Sequence, residues 1–374
     1  MRILLFAATS ALTLGCALAS ACSSAPRPKP QGPATPAVPR VAKPVFDCGG
    51  PATPIATPTP TPTPTPAPAP TPTPGLTIDS RGDRVVQWSA RRLVVRSARD
   101  GAMQWQGTGR GAVMRHDGAQ MASFEDDALT IRALPSGAEV LRAARPNGSF
   151  DAAWNDDGTR LLVVDAAPSS PGTVVYDVAA RTSCRGSYAV PVASPSSFVI
   201  AIDRARAIVT WPGSAPDARG TTGILFLVEG APLDATPITP ASGSADSGFV
   251  FSRTGIVIAA VSAGAGVFVW NVRTGKHGDA MVGSEGASGI ALSDEGVLVA
   301  GIMRDGHVRV WEADTTKLVR EITPTTTASA TPTALAFHPG RKRLLIASTA
   351  EGADGVEAWD LAAGGDAKPT WSGH

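Results

Sequence analysis

Long apolar runs are scarce in this 374-residue chain. Past residue 25 none reaches the ~18 residues of a membrane-spanning helix, so no later span is expected. Charge of one sign is lacking too. From residue 76 on, 28 basic side chains face 31 acidic ones, which speaks against a general nucleic-acid binder, since that needs a basic face. Cysteine is limited to four residues, with no Cys-x-x-Cys or His-x-x-x-His spacing, so no metal site is expected, and nothing implies a cofactor. Tyrosine is confined to Tyr176 and Tyr188. No Gly-x-Ser-x-Gly elbow and no Gly-Lys-Ser/Thr phosphate loop occurs. Helical periodicity over 10 or more residues is nowhere convincing.

Proline, by contrast, is abundant but unevenly placed: residues 26–75 hold 18 of the 33. Ahead of them, residues 1–21 carry one positive charge, an apolar stretch and small residues, the pattern of a secretory signal. The run Leu18-Ala19-Ser20-Ala21-Cys22 resembles the lipobox of bacterial lipoproteins. That resemblance implies a lipid on the Cys22 thiol and cleavage that leaves Cys22 as the first residue of the mature chain. Leu12-Thr13-Leu14-Gly15-Cys16 is a second candidate. Cys22 is preferred because the apolar stretch continues past Cys16 and Cys22 is followed at once by Ser23 and Ser24. The alternative is an ordinary secreted protein cut near Ala21. In the lipoprotein family Asp after the Cys favours inner-membrane retention, so with Ser23 there the resemblance implies the outer membrane of the bacterial cell envelope, where the organism has one, with the domain in the periplasm or at the surface. Several acyl chains would anchor stably where one would not.

Residues 22–75 read as a disordered Thr/Pro-rich linker. Proline removes backbone donors and fixes φ, so the run cannot form helix or sheet. It should be polyproline II at ~3.1 Å per residue, a semi-rigid stalk or a passive spacer. One apolar island, Val45–Gly50, interrupts it. With Cys16 leaving in the signal and Cys22 lipidated, Cys48 and Cys184 remain. An exported compartment permits disulfides, and two leftover cysteines suggest one bridge; two free thiols are the alternative.

From residue 76 a short cycle repeats. An apolar strand leads to a polar turn, then a second strand, a loop, a third strand and a weaker fourth. The first turns begin at Asp79, His116, Asn155, Asp203, Ser252, Ser293 and His338, spaced by 37, 39, 48, 49, 41 and 45 residues. Asp and Gly suit these turns because they tolerate left-handed backbone and bond their own main chain. The third strands are the sharpest: Gly266–Asn271 with Trp270, His307–Glu312 with Trp311, and Gly355–Asp360 with Trp359, with Thr173–Asp177 weaker. A four-stranded period near 40–45 residues carrying a Trp-Asp-like dipeptide resembles the WD-repeat β-propeller family over residues 76–374. Arg96 and Arg132 stand at the Trp position in the first two repeats, and the family's buried Asp-His-Ser-Trp set is not recognisable. A lactonase-like or a periplasmic translocation-accessory propeller is also compatible. The implied fold is all-β: a seven-bladed propeller of four-stranded antiparallel blades, with the Trp packing between blades.

Fold does not decide function, and two classes stay open. The first is a membrane-anchored, non-catalytic scaffold, monomeric, binding another envelope protein. The second is a propeller hydrolase or lactonase whose acids and histidines converge at the central axis. The acid pairs Asp126-Asp127 and Asp156-Asp157 and the five histidines sit in turns or strands, where solvated turn chemistry is the plainer account. Long loops favour recognition. The loops Ala166–Gly172, Pro212–Thr222, Pro240–Ser247, Thr323–Pro332 and Thr349–Asp354 share one face. Partner binding is therefore expected there, with Pro212, Asp217, Arg219 and Thr326 as candidate contacts.

Overall fold

A computed structural model describes residues 53–55, 74–145, 152–155, 157–165, 172–185, 198–203, 206–211, 221–226, 236–238, 247–253, 256–262, 265–271, 274, 276–325, 330–340, 342–350, 353–362 and 369–373. These residues fold into seven antiparallel sheets whose strands follow one another in chain order. Sheet one is Gly75–Ile78, Arg84–Ser89, Arg92–Ser97 and Met103–Thr108. Sheet two is Gly111–Met114, Gln120–Phe124, Ala128–Ala133 and Glu139–Ala144. Sheet three is Ala152–Trp154, Arg160–Asp165, Gly172–Asp177 and Thr182–Arg185, and sheet four is Phe198–Asp203, Arg206–Trp211, Thr221–Phe226 and Thr236–Ile238. Sheet five is Ser247–Phe251, Val257–Ser262, Gly266–Asn271 and Lys276–His277. Sheet six is Gly289–Leu292, Leu298–Ile302, Val308–Glu312 and Leu318–Ile322. Sheet seven is Thr331–Phe337, Arg343–Ala350, Ala353–Asp360 and Trp371–Gly373. The expected first and second strands flank each of the Asp/Gly turn signals.

The first strand of each sheet contacts the first strand of the next, and that of sheet seven returns to that of sheet one. This closed cycle is the radial arrangement of a propeller. Sheets one, two, six and seven bury apolar side chains on both faces against their neighbours, which is why their second and third strands read as continuous apolar runs rather than alternating ones. Among the described residues, closure uses no interleaved strand. Val85 of sheet one packs with Ala336, Leu345, Ala347, Val356 and Ala358 of sheet seven. Polar bonds cross the same seam: Gln87 Nε2 donates to Gly355 O at 3.2 Å, Ser89 Oγ donates to Asp354, and Trp371 Nε1 donates to Ala98 O at 3.1 Å.

The third-strand aromatics are core residues. Trp311 is fully buried among Ala259, Val261, Val267 and Val269 of sheet five, and its Nε1 donates to Val282 O at 2.8 Å. Trp359 packs likewise on sheet six, and Tyr176 on sheet two. At the same position Arg96 and Arg132 use their guanidinium groups to donate to Gly101 O at 3.3 Å and Gly137 O at 3.4 Å. These arginines close the turn between third and fourth strands by hydrogen bonding, where the later sheets fill the space with an indole.

Two features depart from expectation. Thr53–Pro54, inside the Pro-rich segment, is a fifth strand on the outer edge of sheet three, pairing Thr53 with Ser183 and Pro54 with Thr182. Proline's missing donor is tolerated at such an outer edge. The run Thr349–Asp354 is not a long loop either. The second and third strands of sheet seven continue to Ala350 opposite Ala353, leaving two residues between them.

Candidate functional site

The central axis comes first, because an enzyme reading would need ionisable groups there. The described inner strands read Gly-Leu-Thr-Ile, Gly-Ala-Val-Met, Ala-Ala-Trp, Phe-Val-Ile-Ala-Ile-Asp, Ser-Gly-Phe-Val-Phe, Gly-Ile-Ala-Leu and Thr-Pro-Thr-Ala-Leu-Ala-Phe. Among them only Asp203 is ionisable. No group of three or more His, Cys, Asp or Glu suited to a metal occurs among the described residues.

Polar chemistry gathers instead at the turns between first and second strands. In sheet one, Asp79 Oδ1 accepts from the Asp83 N–H at 2.8 Å, while its buried Oδ2 has no hydrogen-bond partner. Burial pushes the Asp79 carboxyl above the usual carboxylate range, against the lowering pull of backbone N–H donors. Gly118, at φ 70°, lies so close that a Cβ there would overlap the Asp79 carboxylate; in the same way a Cβ on Gly82, at φ 73°, would overlap the His338 ring. Glycine is therefore required twice over, by backbone sign and by the neighbouring sheet. Sheets one and two are further tied by Ser80, whose N–H and Oγ–H both donate to His116 O, and by Arg84 Nη1, which donates to Gly118 O at 2.9 Å. Arg115 Nε donates to Asp117 Oδ1 at 2.7 Å, and that guanidinium holds the Asp117 carboxyl down at about 2. The Ser80 and Arg84 contacts join the first turns of sheets one and two, while the Arg115–Asp117 pair lies within the turn of sheet two.

On the opposite face a cleft of about 280 Å³ separates sheets one and two. Its acids are Glu125, Asp126 and Asp127. Asp126 pairs with Arg91 at 3.2 Å and with the buried Arg110. Glu125 pairs with Arg132 at 3.1 Å and Arg142 at 3.0 Å, and its carbonyl accepts from Arg145 Nη1 at 2.9 Å. Burial, then the nearby Arg110 charge, lowers the Arg145 pKa. Asp126 and Asp127 are turn acids with side chains 50% and 83% exposed, as expected, and Asp126 in addition pairs from sheet two to Arg91 of sheet one and to Arg110. The sequence signal was a density of arginines without a period, spread over Arg91 to Arg145.

A third feature was missed altogether. Glu357, fully buried in the third strand of sheet seven, accepts from Trp359 Nε1 at 3.0 Å, Thr325 Oγ1 at 2.6 Å and Thr325 N at 3.0 Å. It clamps the root of the loop between sheets six and seven. A lone acid within an apolar Trp-bearing strand was the available sign. Thr326, in that loop, lies outside the described residues, as do Pro212, Asp217, Arg219, Cys22 and Cys48. Cys184 is described: it is buried in the fourth strand of sheet three and is disulfide-bonded.

A larger recess, of about 830 Å³, lies between sheets six and seven on the short-turn side. Val297, Val319, Phe337 and Leu361 form its apolar wall, with Glu312 and Lys342 at the charged rim. Val282, Val297, Leu318 and Val319 are four of the five exposed large apolar side chains among the described residues. The apolar exposure of the described residues is thus concentrated on and beside sheet six.

No protein-family model matches the chain, and no curated protein matches it. Solved structures do. The Cps50 (Swd1) β-propeller domain of Myceliophteria thermophila is similar with a TM-score of 0.59 at 12% identity, covering 79% of this chain and 99% of that one. Hydrazine synthase of Kuenenia stuttgartiensis is similar with a TM-score of 0.54 at 12% identity, over 77% of this chain and 96% of that one. At such identity the likeness is one of fold, and that fold is the β-propeller.

Proposed function

We propose that this chain is a bacterial envelope lipoprotein, anchored through Cys22, whose seven-bladed, WD-repeat-like propeller is a non-catalytic scaffold for another envelope protein. The observation that carries the reading is the sequence of the inner ring: apart from Asp203, its described strands hold no ionisable residue where a hydrolase or lactonase would gather acids and histidines. The clamp by Glu357 supports assigning recognition to the long-loop face, since a buried carboxylate is committed to fixing the root of the loop that carries Thr326. Pro212, Asp217, Arg219 and Thr326 are the contacts proposed there. The near-balance of charge fits a protein partner rather than nucleic acid. The linker serves as the stalk, the domain acts as a monomer, and the outer membrane is the proposed address because Ser23 follows the anchoring Cys.

The test is metabolic labelling with an alkyne fatty acid, followed by membrane fractionation. The wild-type chain should carry label and sediment with outer membranes, and Cys22→Ala should lose both. Label that persists in Cys22→Ala, or a wild-type chain without label, refutes the anchor.

A further inference from the structure

The seam between sheets one and seven is built unlike the other seams whose facing side chains are described. Val85 packs on sheet seven, and paired residues of an antiparallel ladder share a face. Val85 pairs with Arg96, so Arg96 faces sheet seven too, as do Gln87 and Ser89, two and four residues along the strand. All three polar side chains are buried. Gln87 Oε1 and Arg96 Nε have no hydrogen-bond partner. At the same position in sheet two, Arg132 pairs with Glu125 at 3.1 Å, whereas Arg96 donates to a carbonyl, Gly101 O. Burial first, and the Arg92 charge second, push the Arg96 pKa below the usual arginine range.

The apolar packing is thin as well. Ala336, Ala347 and Ala358 are three of the six buried members of this seam's core, and its aromatic, Trp371, is only partly buried. By contrast Trp154 fills the seam between sheets two and three, Trp311 that between five and six, and Trp359 that between six and seven. Trp311, Trp359 and Tyr176 each pack on the preceding sheet; for sheet one the preceding sheet is seven, and the residue in that role is Arg96. Among the described residues no backbone–backbone bond crosses this seam, while Ser80 N to His116 O joins sheets one and two, and Arg253 N to Asp294 O joins five and six.

We propose that this seam is a gate: the ring opens between sheets one and seven, as a clasp does, while both sheets stay folded. The two sheets share no strand, so parting them breaks no ladder bond. Among the described residues it breaks three side-chain bonds between them: Gln87 to Gly355 O, Ser89 to Asp354, and Trp371 to Ala98 O. Against that loss, Gln87 Oε1 and the Arg96 guanidinium bond water once the seam parts. The alanine-rich contact surrenders little apolar area. Opening presents the Val85 and Leu345 faces to a partner without unfolding a blade. The gate does not depend on the lipid anchor or on which face binds.

Four second-strand alanines, each at most 1% exposed, report on four seams: Ala122 on two and three, Ala259 on five and six, Ala300 on six and seven, and Ala347 on seven and one. Ala122→Cys, Ala259→Cys, Ala300→Cys and Ala347→Cys are made in the full chain and labelled with N-ethylmaleimide under native conditions. Mass spectrometry reads each site on its own peptide, apart from the native cysteines. Ala347→Cys should label roughly tenfold faster than the fastest of the other three. Equal rates, or a faster rate at another seam, overturn the gate. The second readout needs no added cysteine. The Trp371 indole N–H lies at the short-turn end of the seam, and the Ser89 bond to Asp354 lies at the other end. Ser89→Ala should quicken hydrogen exchange at the Trp371 indole roughly threefold or more. The Trp154 indole, which donates from sheet three to Val113 O of sheet two, should keep its rate. A Trp371 rate unmoved by Ser89→Ala means that the indole frays alone, and overturns the gate.

Discussion

Replacing Glu357 by alanine removes a buried carboxylate with three donors: the Trp359 indole N–H and the N–H and O–H of Thr325. Thr325 is exposed, so its two donors turn to water at little cost. Trp359 is 4% exposed, and its N–H would be left unpaired in the core between sheets six and seven. An orphaned buried donor costs about 1–3 kcal/mol, and the small cavity adds to it. Relief from burying a charge offsets part of this. The net expected loss is about 2 kcal/mol, a fall in melting temperature of about 4 °C for a domain of this size. Denaturation of Glu357→Ala, Trp359→Phe and the double variant measures it. In the Trp359→Phe background the indole N–H is gone, so Glu357→Ala should cost about 1 kcal/mol less than in the wild type. Hydrogen exchange at the Thr325 amide should rise with Glu357→Ala in either background. A Glu357→Ala chain within ~0.5 kcal/mol of wild type, or strict additivity of the two substitutions, refutes the clamp.

Three further outcomes follow from single sites. Trp311→Phe should cost about 1 kcal/mol more than Trp270→Phe in chemical denaturation, because Trp311 Nε1 donates to Val282 O while the buried Trp270 Nε1 has no partner; equal losses would contradict this. Asp79→Asn should raise stability at pH 7 by about 1 kcal/mol, since it keeps the acceptor for Asp83 N and removes an unpaired buried charge. The raised Asp79 pKa gives the same sign: the folded chain holds this proton more tightly, so its contribution declines as pH climbs above 3.8, and a less stable Asn variant refutes the reasoning. Asp117 runs the other way. Held at about 2 by Arg115, it stabilises fully above pH ~4 and loses that contribution as pH falls toward 2. Its side chain is 38% exposed, so screening leaves about 1 kcal/mol, which Asp117→Asn should remove from an acid titration of stability.

The repeat was legible because local chemistry and global fold agree. Gly82 and Gly118 mark turns that need left-handed backbone, and the apolar runs after them are strands buried on both faces. Trp270, Trp311 and Trp359 marked third strands for the same reason. What escaped depends on neighbours distant in sequence. Thr53–Pro54 has no periodicity of its own and sits among prolines, which read as strand breakers until an outer edge is available to receive them. Ala350 and Ala353 read as loop because the glycines nearby hide a hairpin that only pairing across sheet seven reveals. Arg91, Arg110 and Asp126 are unremarkable in the sequence, and only the packing of sheet one on sheet two brings their charges together.

The most direct measurement of the scaffold claim is site-specific photo-crosslinking in intact cells. A photoreactive residue is placed at Thr326 on the long-loop face, at Val319 in the apolar recess, and at Glu139 on sheet two as a surface control. Cell extracts are then resolved and the adducts identified by mass spectrometry. The account predicts one discrete adduct with an envelope protein from Thr326, absent from Glu139 and lost in Cys22→Ala. An adduct from Val319 alone would contradict the assignment of the binding face. Crosslinking that is the same from all three positions, or absent from all three, would contradict the scaffold itself.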